Sequence, residues 1–218
     1  MILAVAMPEK TIKELATLSI GTRDGYLLTI REQIFGPKLE SVIECPECSE
    51  QLEFVLNILD IRKPDDFGEN VSELEVKQGD YKIRFRPPNS LDLAEIVGQN
   101  NASEARKQLI QRCILNAKRK ERRISPKKLP KKILETIEQK LGETEVLAEI
   151  NLSLNCASCN RKWKMVFDIS AFLWTEICAL TQRLLQEVHI LARTYGWSET
   201  DILAMSATRR YLYLQMVS

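Results

Sequence analysis

An α+β fold follows from three features of the sequence. Two C-x-x-C pairs, Cys45/Cys48 and Cys156/Cys159, each lie between stretches with apolar residues at every second position. A third alternating segment stands between the pairs, followed by helical spacing. The C-terminal third carries apolar residues three and four apart. Period two marks half-buried strands, and spacing of three and four marks helices. The pattern predicts a discontinuous four-cysteine ribbon of antiparallel hairpins over 38–58 and 148–169. An inserted hairpin and helical segment (59–147) interrupts it, and N-terminal helices (1–37) and a C-terminal helical segment (170–218) flank it.

The N-terminal part reads as two helices. Residues 8–18 start at Pro8, put Ile12, Leu15 and Leu18 on one side, and are broken by Gly21. Leu27, Ile30 and Ile34 form the stripe of a second helix over 22–35, stopped by Gly36 and Pro37. Leu39 to Glu44 then lead into the first cysteine pair, and Leu52, Phe54, Leu56 and Ile58 lead out of it, describing a hairpin with one buried face. Residues 62–72 read as a loop. Leu74 and Val76, a Gln-Gly-Asp turn, and then Tyr81, Ile83 and Phe85 make the inserted hairpin. Pro87 and Pro88 end it, and Asn89 or Ser90 caps a helix from Leu91. Further helices are expected over 102–120, with Ala105, Leu109, Cys113 and Ile114 inward, and over 127–141, ending before Gly142.

The second cysteine hairpin repeats the first. Ile150, Leu152 and Leu154 enter it, and Trp163, Met165, Phe167 and Ile169 leave it. Aligning Cys48 with Cys159 brings Leu52 onto Trp163, Leu56 onto Phe167 and Ile58 onto Ile169. From Ser170 a long helix is marked by Leu173, Ile177, Leu180, Leu184, Val188, Leu191 and Tyr195, and Gly196 ends it. Ser198 to Asp201 fits a capping box for a short helix, and Ser206 caps a last one over 207–217. That last helix has Tyr211, Leu214 and Val217 along one side and Leu212 and Met216 along another. A helix apolar on more than one face has to be covered, by its own chain or by a partner. Arg209 and Arg210 stand in its first turn, where the macrodipole disfavours cations. Intramolecular carboxylates are their expected partners, with a partner-protein contact as the alternative.

Two hairpin tips brought together supply four sulfurs, the set that tetrahedral Zn²⁺ prefers. Cys45, Cys48, Cys156 and Cys159 are therefore the candidate metal ligands and Zn²⁺ the expected cofactor of a zinc ribbon. Four thiolates also suit an iron–sulfur cluster, and unligated or redox-active pairs are a third reading, although a redox C-x-x-C opens a helix in a βαβ unit. Closing a loop of about 100 residues costs about 5 kcal/mol, against roughly 10–16 kcal/mol contributed by structural zinc in small peptides. The ion can hold the hairpins together. A closed four-thiolate site has no open coordination position, so its role is scaffolding. The residue after the second cysteine of a knuckle turns with φ > 0; Asn160 suits that conformation and Ser49 suits it less. Cys113 and Cys178, in helical stretches without partners, read as small buried hydrophobes.

The 218 residues carry 31 Lys and Arg against 30 Asp and Glu, a net charge of +1, which favours no class of charged partner. No apolar run approaches the roughly 20 residues of a membrane span. The Met1–Met7 run lacks a basic leader, so a cytoplasmic protein is expected. The lone histidine, His189, lies mid-helix with no nucleophile or base to match it, and no phosphate loop or catalytic motif occurs. No enzyme activity is expected. The basic run 118–132 admits an alternative function, a zinc-ribbon nucleic-acid-binding factor, although no aromatic residue within it could stack on bases.

Several segments together resemble a known family, the baseplate hub assembly chaperones of contractile phage tails and their relatives in contractile injection systems. They are Leu15 to Glu32, Cys45-Pro-Glu-Cys48, Phe85-Arg-Pro-Pro-Asn-Ser-Leu-Asp-Leu93, Cys156-Ala-Ser-Cys159 with Trp163, Glu187 to Trp197, and Asp201 to Tyr213. The resemblance implies a non-enzymatic role in building a baseplate or hub, with the baseplate or hub proteins of a contractile tail-like particle as partners. Trp197, Arg209, Arg210 and Tyr211 are the candidate partner-binding residues, since aromatics and arginine dominate interface energetics.

Overall fold

The computed structural model describes residues 1–61 and 73–217, so the loop expected at 62–72 lies outside it. The chain divides into two compact units, Met1–Ile169 and Ser170–Ser218.

The first unit opens with three helices, α1 (Ile2–Ala6), α2 (Ile12–Ala16) and α3 (Ile20–Phe35). Thr11, rather than Pro8, starts α2. Its hydroxyl accepts from the Glu14 N–H at 3.2 Å, while the Glu14 carboxylate accepts from the Thr11 N–H at 2.7 Å, a reciprocal capping box. That placement buries Leu15 and leaves Ile12 exposed. Ser19 caps α3 by accepting from the Thr22 N–H. Gly21 therefore does not break a helix; it is the second residue of one. Gly21 and Gly25 lie one turn apart and keep one face of α3 flat. A 3₁₀ turn, Val146–Ala148, lies against that face. A Cβ on Gly21 would stand 2.5 Å from the Glu145 carboxylate, and one on Gly25 3.3 Å from the Leu147 side chain.

The first ribbon hairpin pairs β1 (Lys38–Glu44) with β2 (Gln51–Asn57). Its register sets Leu39 opposite Leu56, Ser41 opposite Phe54 and Ile43 opposite Leu52 on one face. Ile58 leaves the strand and begins a short helix, α4 (Ile58–Ile61).

The insert holds β3 (Leu74–Gln78), β4 (Tyr81–Phe85), α5 (Ser90–Ile96), α6 (Ala102–Cys113), β5 (Ile114–Arg119), β6 (Arg122–Arg123) and α7 (Lys131–Thr144). The helix expected over 102–120 stops at Cys113. Ile114–Arg119 instead pair with β4, so the expected hairpin is part of a four-stranded antiparallel sheet, β3-β4-β5-β6. The open edge of β4 supplies hydrogen bonds that local propensity cannot anticipate. Lys120 and Glu121 have φ of 47° and 61°, the two consecutive left-handed residues of a tight hairpin turn that usually calls for Asn-Gly. The run 118–132 is thus a strand end, a turn, β6, a 3₁₀ turn (Pro126–Lys128) and the start of α7, rather than the end of one helix and the start of the next. Helix α7 also passes through Gly142 instead of ending before it. The sheet's inner face, with Val76, Ile83, Phe85 and Ala117, packs against Ile110, Ile133 and Ile137.

One buried carboxylate organises the junction between sheet and helices. Asp92 is 2% exposed. It accepts from Nη1 and Nη2 of Arg86 at 2.6 and 3.0 Å and from Arg112 Nε at 3.3 Å. It also forms a capping box with Asn89, which begins α5. Burial works to raise the Asp92 carboxyl, but the bonds from Arg86 and from the Asn89 backbone hold it below the ordinary range. Beside it, the Ile20 N–H donates to the Pro88 carbonyl at 3.0 Å, tying the start of α3 to this corner.

The second ribbon hairpin pairs β7 (Ile150–Asn155) with β8 (Lys162–Phe167), with Leu152 opposite Met165 and Leu154 opposite Trp163. A helix follows at once, α8 (Ile169–Tyr195). Ile58 and Ile169, aligned by the repeat, are both almost wholly buried and both open a helix. The repeat therefore extends from hairpin to helix start.

The second unit comprises the rest of α8, then α9 (Glu199–Ala204) and α10 (Ala207–Gln215). Ser198 and Ser206 cap the two short helices as expected. Leu191 and Ile202 are fully buried. Trp197 stacks on Tyr195 at 4.4 Å, and both rings meet the Tyr213 ring edge-on. Trp174, Leu185 and Ile190 remain exposed along α8.

Candidate metal centre

Each ribbon hairpin ends in the same turn. The Cys45 N–H donates to the Glu50 carbonyl at 2.8 Å and the Ser49 N–H to the Cys45 carbonyl at 2.9 Å. In the second hairpin the Cys156 N–H donates to the Arg161 carbonyl, and the Asn160 N–H to the Cys156 carbonyl, both at 2.9 Å. Ser49 and Asn160 both take φ of 58°. The turns wrap backbone around the first thiol of each pair, so Cys45 and Cys156 are buried while Cys48 and Cys159 face solvent.

The four Sγ atoms all lie within 4.8 Å of one another. Pairing is crosswise. Cys45 Sγ stands 3.6 Å from Cys159 Sγ, and Cys48 Sγ 3.6 Å from Cys156 Sγ. These separations far exceed a disulfide bond of about 2.05 Å. They match the edge of a tetrahedron with metal–sulfur bonds of about 2.3 Å, which is about 3.8 Å. The donor set fits a single thiophilic ion.

The electrostatics agree. Desolvation works to raise the Cys45 thiol, but the backbone N–H groups of Cys48 and Glu47 and the neighbouring thiols bring it down to about 7. At Cys48 the Glu50 backbone favours the thiolate, while desolvation and the three other thiols push it up to about 12. Turning all four thiols into thiolates this close together requires a cation among them, and ligating one releases their protons.

Cys113 and Cys178 are not part of this cluster. Cys113 is buried at the end of α6, and burial pushes its thiol up to about 12. Cys178 is exposed on α8, against the expectation of burial. Of the candidate partner-binding residues, Arg210 is 8% exposed and donates to Glu187 Oε2 at 2.8 Å and to the Met205 carbonyl at 2.6 Å. It is thus held by an intramolecular carboxylate. Trp197 is half-buried in the aromatic cluster, Arg209 lies over the Tyr213 ring at 5.7 Å, and Tyr211 is exposed. His189 is exposed. Among the described residues no helix is long and apolar enough to cross a membrane.

Sequence reasoning missed the contact of Glu145 with the start of α3. Its carboxylate accepts from the Ser19 hydroxyl at 3.1 Å and the Gly21 N–H at 2.8 Å. Burial raises the Glu145 carboxyl against those bonds, and burial likewise raises the nearby Asp24. Only the two glycines a turn apart could have signalled this close approach.

No curated protein and no solved structure matches the chain. A family model described as T4 bacteriophage base plate protein matches residues 2–174, which takes in both knuckles, the insert and the start of α8. The chain belongs to the T4 bacteriophage base plate protein family.

Proposed function

We propose that the protein is a non-enzymatic assembly chaperone or component of the baseplate or hub of a contractile phage-tail-like injection system. It acts through protein–protein contacts on a scaffold held by Zn²⁺. Membership of the base plate family, over residues 2–174, carries this reading. The four-thiolate cluster supports a closed, structural ion, because it offers no position for a reacting water. Zinc is favoured over an iron–sulfur cluster by size. The sulfurs stand one tetrahedral edge apart, whereas a multi-iron cluster separates its thiolates further.

The C-terminal unit is the proposed partner surface. Tyr211 and Leu212 are exposed on α10 beside Arg209, as is Met216 just after it, and Arg210 and Trp197 hold that helix in place. Purification of the tagged protein from its native cell is expected to bring down baseplate proteins, with one zinc per chain by elemental analysis. Arg209→Ala with Tyr211→Ala is expected to reduce that co-purification at least about tenfold, the scale of a 1.4 kcal/mol interface loss. Unchanged particle assembly and partner recovery in the double variant would overturn the placement of the contact. Assembly that proceeds normally without the protein would overturn the function.

A further inference from the structure

Two faces of the Met1–Ile169 unit carry an excess of opposite charge. On the outer side of the four-stranded sheet, the register sets Lys77 opposite Lys82, Lys82 opposite Lys118, and Lys118 opposite Arg123. The four cations form one row across all four strands, turned away from Val76, Ile83 and Ala117. With strands about 4.8 Å apart, the row is about 14 Å long. Like charges directly opposite one another weaken a sheet, so folding alone does not call for this row. Its own carboxylates answer it in part. Lys77 and Lys82 share Glu75 at 3.1 and 3.5 Å, and Lys118 reaches Glu121 at 3.2 Å. Arg123 makes no ion pair among the described residues.

The opposite sign gathers on the first ribbon hairpin. On its outward face Glu40 stands opposite Val55 and Glu53 opposite Val42, with Glu44 beyond them toward the knuckle and one cation, Lys38, at the far end. Val42 and Val55 are 58% and 61% exposed. Among the described residues none of these three carboxylates makes an ion pair, and no ion pair joins this face to the cation row. The whole chain has a net charge of only +1, so long-range repulsion between copies is weak.

We infer that the two faces dock between copies of this chain, the outward face of β1–β2 in one copy seating on the cation row of the next. The inference goes beyond the proposed function and does not depend on it. Charge complementarity selects this occupant. Glu75 and Glu121 sit among the cations and would repel a continuous phosphate backbone, whereas carboxylates that alternate with valines leave room for them. The two surfaces differ, so the contact is heterologous and runs head to tail, closing into a ring or continuing as a chain.

Sedimentation velocity of the full-length protein tests this. In about 50 mM salt the weight-average sedimentation coefficient is expected to rise with concentration, and in about 500 mM salt to fall to the monomer value, because screening shortens the reach of exposed charges. Lys82→Glu with Lys118→Glu, and separately Glu40→Lys with Glu53→Lys, are each expected to weaken association at least about tenfold, the loss of about 1.4 kcal/mol. An equimolar mixture of the two variants is expected to associate again, since each mixed pair joins complementary faces. Circular dichroism checks that each variant folds; where one does not, the Gln substitutions at the same positions replace it. A monomer at every concentration in low salt overturns the inference, as does association that ignores both variants or a mixture that stays monomeric. Binding of a labelled DNA duplex by the cation row of a monomeric protein overturns it too, assigning the row to nucleic acid.

Discussion

Ser49 and Asn160 occupy the same left-handed conformation, φ 58°, in the two knuckles, but the conformation is less natural to serine. Ser49→Gly is expected to stabilise the protein by about 0.5–1 kcal/mol, and Asn160→Gly to change it by only a few tenths. Thermal melts of the two variants check the asymmetry. At Gly21 the constraint is space. A methyl group there meets the Glu145 carboxylate, so Gly21→Ala is expected to cost about 1–3 kcal/mol. The cost should shrink when Glu145→Ala removes the obstacle, a coupling that a double-mutant cycle measures. Glu145 also sets a pH dependence. Its raised carboxyl binds a proton in the folded state before the unfolded chain does. The contribution is therefore complete below the ordinary glutamate value of about 4.3 and is lost as pH rises through the higher folded value. Denaturant midpoints across this range should show that decline in the parent and a flatter profile in Glu145→Gln. The four thiols were legible in the sequence because each pair sits in a turn that its own neighbours specify. Gly21 was not, because its neighbour lies 124 residues away and only packing brings it near.

At the scale of elements, strand β5 shows how far local pattern reaches. Ile114 to Arg119 carries no alternation strong enough to outweigh the preceding helix, and its turn at Lys120 and Glu121 lacks any Asn or Gly. Only the edge of β4 makes it a strand. The helix caps, by contrast, were readable at Ser198 and Ser206, and to within one residue at the pair Asn89 or Ser90, of which Asn89 is the cap, because each depends on a residue three positions on. Two polar contacts hold elements together and can be tested separately. Asp92 anchors Arg86, Arg112 and the start of α5. Asp92→Ala is expected to cost about 2–3 kcal/mol, in line with charged hydrogen bonds left unmade. Because its carboxyl is lowered, its contribution is present above about 4, the ordinary aspartate value, and is lost as pH falls below that. Arg210→Ala leaves Glu187 without its close partner and removes a bond to the Met205 carbonyl. A loss of about 3 kcal/mol is expected, and hydrogen exchange should place it in α9 and α10.

At the scale of the molecule, two hairpins from distant stretches bring their four thiols together, and the insert lies between them in sequence. Removing the proposed zinc with a strong chelator is expected to lower the melting temperature and to free the four clustered thiols to a thiol reagent. Cys159→Ser should reproduce the loss of metal. A chelated protein that melts unchanged would mean that hairpin packing alone holds the ribbon. The overall class was legible because it rests on two local hairpins and their repeat. The extent of the central sheet was not, since β4–β5 pairing spans two helices, α5 and α6.

Cys156 lies 108 positions after Cys48, and the ribosome makes them in that order. At about 5–20 residues per second, the leading knuckle emerges several seconds or more before its counterpart exists. For that interval it is a half-built clasp with two uncommitted thiols, and any ion it captures keeps vacant coordination sites. The four sulfurs cannot meet until nearly three-quarters of the polypeptide has been translated, so the order of synthesis sets the earliest moment at which the clasp can shut.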